Sequence, residues 1–232
     1  RGPALVKRYH KEPGLTAAAL VPDGNVVLTD ISAGMLKVAE VKAAARGLQN
    51  VRFEVCDAAA LPLADESFDA VFCRFGFMFF PEISPALREM VRTARPGARI
   101  TAAVWGRAAE NPGASLILGT LAHHTELPPP PPGTPGLFRY SAAGLMSRLF
   151  REAGLVDVSE RKVSTELVHE SPERYWEFMT DIATTVAVGL ARADRDAREL
   201  IRSDVFRLLG RYEHDGAIRL RSTATIVAGT RA

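Results

Sequence analysis

Val26-Val27-Leu28-Thr29-Asp30 and Val51-Arg52-Phe53-Glu54-Val55-Cys56-Asp57 are two short apolar runs, and each closes on an aspartate. The segment between them reads as a helix. Ser32 is a candidate N-cap, the helix runs from about Ala33 to Arg46, and Gly47 marks its stop. Strand, helix, strand is the unit from which parallel sheets are wound. An acid at the carboxyl tip of such a strand is how doubly wound sheets hold the sugar and base of a nucleoside cofactor. Each aspartate alone has a second reading, as a helix cap or a turn residue, because short acids favour both. Taken together and in this order, the pair points to a nucleoside.

Further along, the rhythm repeats. A loop containing Leu61-Pro62 and the entry Ser67-Phe68-Asp69 lead into Ala70-Val71-Phe72-Cys73, an apolar run typical of a parallel strand buried on both faces. Pro85 to Ala94 reads as a helix, Arg95-Pro96-Gly97-Ala98 as a turn, and Ile100 to Trp105 as a strand. After Gly106 the pattern changes. Ala114 to Leu127 reads as a helix, and Pro128–Pro132 as a stiff connector. Ser141 to Ala153 reads as an amphipathic helix, and Val156 to Leu167 as a strand. Pro172 to Arg211 reads as mostly helical, and Ala217 to Ala228 as a final strand. Before all of these, Leu15 to Val21 reads as a helix closed by Pro22-Asp23-Gly24.

Composition narrows the class. The 232 residues are 47% hydrophobic and 24% charged, with a formal net charge of +2, an ordinary globular balance for one α/β domain or a core plus a cap. The arginines are dispersed, as on solvated helix faces, so no nucleic-acid partner is expected. Cys56 and Cys73 read as reduced core thiols rather than a disulfide, and no metal site is expected. No apolar run reaches membrane-spanning length and no secretory segment is visible, which makes the cytoplasm the default compartment.

Four stretches carry a family resemblance: Val-Val-Leu-Thr-Asp-Ile-Ser-x-x-Met-Leu at 26–36, Cys-Asp-Ala-x-x-Leu-Pro at 56–62, Ser-Phe-Asp-Ala-Val at 67–71 and Arg-Pro-Gly-Ala-Arg-Ile at 95–100. They resemble the successive motifs of class I S-adenosylmethionine-dependent methyltransferases, in the small-molecule branch similar to the ubiquinone and menaquinone biosynthesis enzymes. The resemblance is strong over about 12–106 and weak beyond. It implies S-adenosylmethionine as cofactor and a small organic methyl acceptor. It further implies that Asp30 binds the ribose, that Ile31 and Met35 flank the adenine, and that Asp57 accepts from the adenine amino group. The Ala58 backbone would contact a ring nitrogen, and Arg74 would face the methionine end of the cofactor. For Arg74 an ordinary surface role stands beside that reading.

On the acceptor side, Phe75-Gly76-Phe77-Met78-Phe79-Phe80 follows a strand, and Phe75 is the first candidate to line an apolar pocket. Trp105, at the next strand end, and Tyr140 are further candidates. Tyr140, His123, His124 and His169 are also conceivable bases, but a structural role is the simpler reading of each, and no catalytic base is assigned. A base is needed only if the acceptor arrives protonated.

One expected motif is missing: the apolar strand and glycine-rich loop that open this family's fold. Glu12-Pro13-Gly14-Leu15-Thr16 resembles the residues after that loop, while Ala4 to Lys11 contains no glycine and carries Lys7, Arg8 and Lys11. Three explanations stay open: residues joined across a missing stretch within 9–12, a degenerate homologue that no longer binds cofactor, or an irregular first strand over 4–9. The expected fold is therefore a doubly wound, Rossmann-like, mostly parallel seven-stranded sheet with an antiparallel last strand and a helical cap. Residues 1–106 would form the cofactor-binding core; residues 107–232 would supply the cap and the last two strands within the same domain. The rival readings are a non-catalytic methyltransferase-like binding protein and a nicotinamide-dependent reductase. The chain has no Tyr-x-x-x-Lys pair, which counts against the short-chain kind of reductase.

Overall fold

The computed structural model describes residues 24–125 and 134–232, apart from the side chains of Ile182 and Thr184. The expected first helix, the first-strand question at 4–12 and the proline connector at 128–132 lie outside the described residues. The described residues divide into two compact units, with the boundary between Leu63 and Ala64.

In the first unit, β1 (Val26–Asp30) and β2 (Val51–Val55) pair in parallel, Val26 opposite Val51 and Asp30 opposite Val55. Helix α1 (Ala33–Ala44) connects them. It starts where Ser32 takes an extended conformation and its side chain accepts the Met35 N–H, as an N-cap does. It buries Leu36 and Ala43, two turns apart on one face.

In the second unit, β3 (Phe68–Arg74) and β4 (Ala94–Trp105) pair in parallel around α2 (Ile83–Thr93). Helix α2 buries Ile83, Ala86, Leu87, Met90 and Thr93, the spacing of a single apolar stripe. The expected turn at 95–98 falls inside β4, yet the ladder skips from Phe68↔Ala94 to Ala70↔Arg99 there, so residues 95–98 bulge out of the pairing. Next come α3 (Pro112–Thr125), α4 (Leu145–Glu152), β5 (Leu155–His169), α5 (Pro172–Ile182), α6 (Thr184–Arg192), α7 (Arg195–Leu209), β6 (Glu213–His214) and β7 (Ala217–Arg231). The helix expected from Ser141 begins only at Leu145, after Gly144 in a left-handed conformation (φ +75°).

The strand order is β3-β4-β7-β5, with β6 also on β7. All three antiparallel pairings belong to β7, so β3, β4, β5 and β6 run one way and the last strand runs against them. Along β7, Thr223, Thr225 and Val227 are buried while Ala224, Ile226 and Ala228 are half-buried, the expected two-residue alternation. Helices α3, α5, α6 and α7 are not a separate body from β7. Ile117, Leu121, Tyr175, Val186, Ile201 and Val205 share one core with Ile218 and Leu220 of β7.

The expectation of one seven-stranded sheet is met only in part by the described residues. Among the described residues there is a two-stranded and a five-stranded ladder with no strand in common. A parallel sheet is continuous only where each strand offers its free backbone groups to the next, and no described strand pairs with both β1 and β3. Among the described residues, no helix is long and apolar enough to cross a membrane.

Candidate functional site

The parallel register of β1 and β2 brings their carboxyl ends level. Asp30 lies opposite Val55, and the Cys56 N–H donates to the Asp30 carbonyl at 3.1 Å, so Asp57 follows directly beyond the ladder. Each carboxylate uses one oxygen locally. Asp30 Oδ1 accepts the Ser32 N–H at 2.8 Å, and Asp57 Oδ1 accepts the Ala59 N–H at 2.8 Å. These are Asx turns, which fix the direction of the side chain. The second oxygen of each accepts no hydrogen bond from the described residues. The turn reading and the ligand reading of these acids are therefore compatible: one oxygen positions the group and leaves the other to accept.

Apolar groups flank the acids. Ile31 is 75% exposed and Met35 38% exposed, so both side chains are open to a ligand. The Ala58 residue is half-buried. The edge is also anionic. Burial pushes the Cys56 thiol up, and the charges of Glu54, Asp57 and Asp30 push it the same way.

The carboxyl ends of β3 and β4 carry different groups. Phe75 follows Arg74 at the end of β3, and its N–H donates to the Ala103 carbonyl at 2.8 Å. Its φ is +53°, a region that bulky residues avoid. The ring stacks on Trp105, the last residue of β4, with centroids 4.7 Å apart and planes 23° apart. Arg74 is exposed, with its guanidinium carbon 5.4 Å from the Phe75 ring centre. Gly76 follows where space is tight, since a Cβ there would lie 3.0 Å from Cys73 Sγ and 3.4 Å from the Phe80 ring. Phe77 and Met78 are fully buried and belong to the core, Phe75 and Phe80 are half-buried, and Phe79 is exposed. Burial pushes the Cys73 thiol up to about 11, against the Gly76 and Phe77 N–H groups that favour its thiolate.

Tyr140 is buried beneath Arg139, whose guanidinium carbon is 5.1 Å from the ring centre; burial pushes its hydroxyl up. The histidines are engaged in packing or pairing. His169 is buried between the Tyr175 and Phe178 rings. His124 Nε2 lies 2.8 Å from Asp204, and His123 stands edge-on to His124.

Residues 13–102 match the model of the methyltransferase domain family. A demethylmenaquinone methyltransferase from Thermus thermophilus is 40% identical over 116 residues, which is 50% of this chain and 42% of that protein. A ubiquinone/menaquinone biosynthesis C-methyltransferase from Hahella chejuensis is 44% identical over 80 residues, 34% of this chain and 32% of that protein. This chain resembles the class I S-adenosylmethionine-dependent methyltransferases. It spans less than half the length of these two relatives. Among solved structures, the YcgJ protein from Bacillus subtilis has a TM-score of 0.58 at 21% identity, covering 94% of this chain and 87% of that one. A Haemonchus contortus phosphoethanolamine N-methyltransferase, solved with phosphomonomethylethanolamine and S-adenosylhomocysteine, has a TM-score of 0.52 at 16% identity, covering 96% and 46%. These two likenesses establish a methyltransferase-like α/β fold.

Sequence reasoning missed three polar residues that organise the second unit. Asn111 donates to the Arg107 carbonyl at 3.0 Å and accepts the Thr223 N–H at 2.8 Å, tying the start of α3 to β7. The dipeptide Asn111-Pro112 is a turn and helix-start signal that marks it. Glu160 and Arg139 make long-range contacts to backbone groups, and nothing in their local sequence announces this.

Proposed function

We propose that this chain is an S-adenosylmethionine-dependent methyltransferase that moves a methyl group to a small organic acceptor. One observation carries the reading: two carboxylates stand at one carboxyl edge of a parallel strand pair, each held by a turn through one oxygen, beside the exposed side chains of Ile31 and Met35. Those groups fit an adenosine. Asp30 accepts from the ribose hydroxyls, Ile31 and Met35 cover the faces of the base, Asp57 accepts from its amino group, and the Ala58 backbone meets a ring nitrogen. Charged acceptors of this kind make hydrogen bonds stronger than neutral ones.

The bound sulfonium supplies an activated methyl group, so the protein needs no covalent chemistry of its own. Its task is to orient the acceptor and exclude water. Arg74 serves the carboxylate end of the cofactor, and Phe75, Trp105 and Tyr140 belong to the acceptor side. In this reading residues 1–106 hold the cofactor, and 107–232 carry the cap and the last strands. A quinone-type ring, after the names of the relatives, is the first acceptor to test. The cytoplasm is the proposed compartment.

Isothermal titration with S-adenosylmethionine tests the reading, followed by isotopically labelled cofactor with a metabolite extract and mass spectrometry of labelled products. Binding and a labelled product are expected. Well-folded protein that gives no heat and no product refutes the enzyme reading and favours a fold kept without its cofactor.

A further inference from the structure

Segment 134–144 has no helix or strand of its own before α4, yet it is pinned at both ends. At one end the Gly136 N–H donates to the Met78 carbonyl at 2.9 Å. Arg139 Nη1 donates to the Phe80 carbonyl at 2.5 Å, and Nη2 to the Pro81 carbonyl at 3.1 Å. At the other end Glu160 of β5 accepts from the Gly144 N–H at 2.9 Å and from the Ser147 N–H and hydroxyl at 3.2 and 2.8 Å. Gly144 reaches it with φ +75°, a conformation glycine adopts freely.

All three carbonyls at the first end belong to loop 75–82, which begins with Phe75. A guanidinium that takes two successive carbonyls fixes their relative orientation, which a single ammonium cannot do. Phe75 needs such support. A bulky residue at positive φ persists only where its surroundings over-determine it. The bond to Ala103 and the Trp105 stack hold the loop's first residue, and the Arg139 contacts hold its far end.

We propose that Arg139 is a positioning residue for the acceptor side: it clasps loop 75–82 to segment 134–144 and keeps the Phe75 ring on Trp105. The inference rests on the function proposed above for its meaning, but its test does not. The chain has two tryptophans, so Trp176→Phe leaves Trp105 as the sole indole reporter. In that background Arg139→Ala raises acrylamide quenching of Trp105 about two-fold or more as the stack loosens, and Arg139→Lys falls between. Circular dichroism checks that each variant is folded, and S-adenosylmethionine affinity by calorimetry stays at the parent value. If the alanine variant does not fold, Arg139→Gln, whose single amide reaches one carbonyl, decides the matter in the same assay. Parent-like quenching in a folded alanine or glutamine variant overturns the clasp. Failure of the parent to bind S-adenosylmethionine refutes the enzyme reading instead, and leaves the tryptophan signal to judge Arg139 by itself.

Discussion

At the carboxyl end of β1 and β2 stand Asp30 and Asp57, each with one oxygen spent on a turn; at the carboxyl end of β3 and β4 stand Phe75 and Trp105, stacked. The backbone is alike at both places. In each, one backbone hydrogen bond extends the ladder past the strand, from Cys56 to Asp30 and from Phe75 to Ala103. The side chains differ in kind. The first edge offers fixed negative charge and open apolar groups, which suit the hydroxyls and the base of a nucleoside. The second offers a stacked aromatic surface, which suits an apolar or planar group. The means of holding them differs too: Asx turns aim the acids, whereas a strained backbone and a stack aim Phe75. Parallel strands thus bring such groups level, and the residue at or just beyond each strand's end sets what the edge offers.

The largest effect that would break this contrast is at Asp30. If its outer oxygen accepts ribose hydroxyls, Asp30→Ala loses at least about 100-fold in S-adenosylmethionine affinity, since each unmade bond to a charged acceptor is worth ~1.5–3 kcal/mol. Asp30→Asn keeps an oxygen for the Ser32 N–H but puts an NH2 donor where the outer oxygen stood, so the turn survives while affinity still falls by about ten-fold or more. Calorimetry on both variants separates ligand binding from turn geometry. Parent-like affinity in both removes the nucleoside role from the first edge.

The two cysteines report on the same contrast, one beside each edge. Burial pushes Cys73 up to about 11, whereas Cys56 is raised less strongly, by burial and by nearby carboxylates. Only the thiolate alkylates readily. At pH 8, iodoacetamide therefore labels Cys56 faster than Cys73 by about ten-fold or more, read by peptide mass spectrometry. Equal rates would mean that the β3 end is more open than its packing indicates.

Much of this was legible from local pattern. The alternation and caps at 26–55 mark β1, α1 and β2, because their boundaries depend on residues a few positions apart, such as Ser32 for Met35. The placing of Phe75 and Trp105 at the ends of neighbouring parallel strands follows from the repeated strand–helix rhythm, whereas their stacking does not. What stayed hidden depends on distant groups. Arg139 bonds carbonyls 59 and 58 residues away, and Asn111 meets a backbone N–H 112 residues away. The positive φ of Phe75 was equally invisible, because Phe is not a residue that announces a left-handed turn. The late start of α4 has the same origin, since Glu160, from the following strand, occupies the backbone N–H of Gly144 and Ser147.

Glu160 sharpens the comparison by testing whether segment 134–144 supports only the aromatic edge. Burial alone would raise its carboxyl, but the bonds from Gly144 and from the Ser147 N–H and hydroxyl outweigh burial and hold it below the ordinary value. A carboxyl lowered on folding stabilises above its unfolded pKa, and that stability is lost as pH falls through the folded one. Glu160→Gln should therefore cost about 1 kcal/mol at pH 7, a low figure because solvent reaches the group. The gap to the parent should close below about pH 4. Chemical denaturation at several pH values reads both effects. S-adenosylmethionine affinity should not move, and a fall in it would tie the first edge to a support assigned here to the second.

The smallest effect concerns strain. Phe75→Ala and Phe75→Gly both delete the ring and the stack, so both lose the aromatic surface equally. They differ in backbone freedom. Alanine at φ +53° keeps the penalty of a Cβ in the left-handed region, about 1–2 kcal/mol, while glycine escapes it and gives back about 0.5–1 kcal/mol through its freer unfolded chain. The glycine variant should accordingly be the more stable of the two by about 0.5–1 kcal/mol, measured by urea unfolding with unchanged slope. If alanine is as stable as glycine, the backbone relaxes once the ring is gone, and the stack on Trp105 is what forces the strained conformation. If glycine is the more stable, the loop imposes it through Gly76 and the hydrogen bond to Ala103, and the ring is held in place by a backbone fixed before the side chain packs.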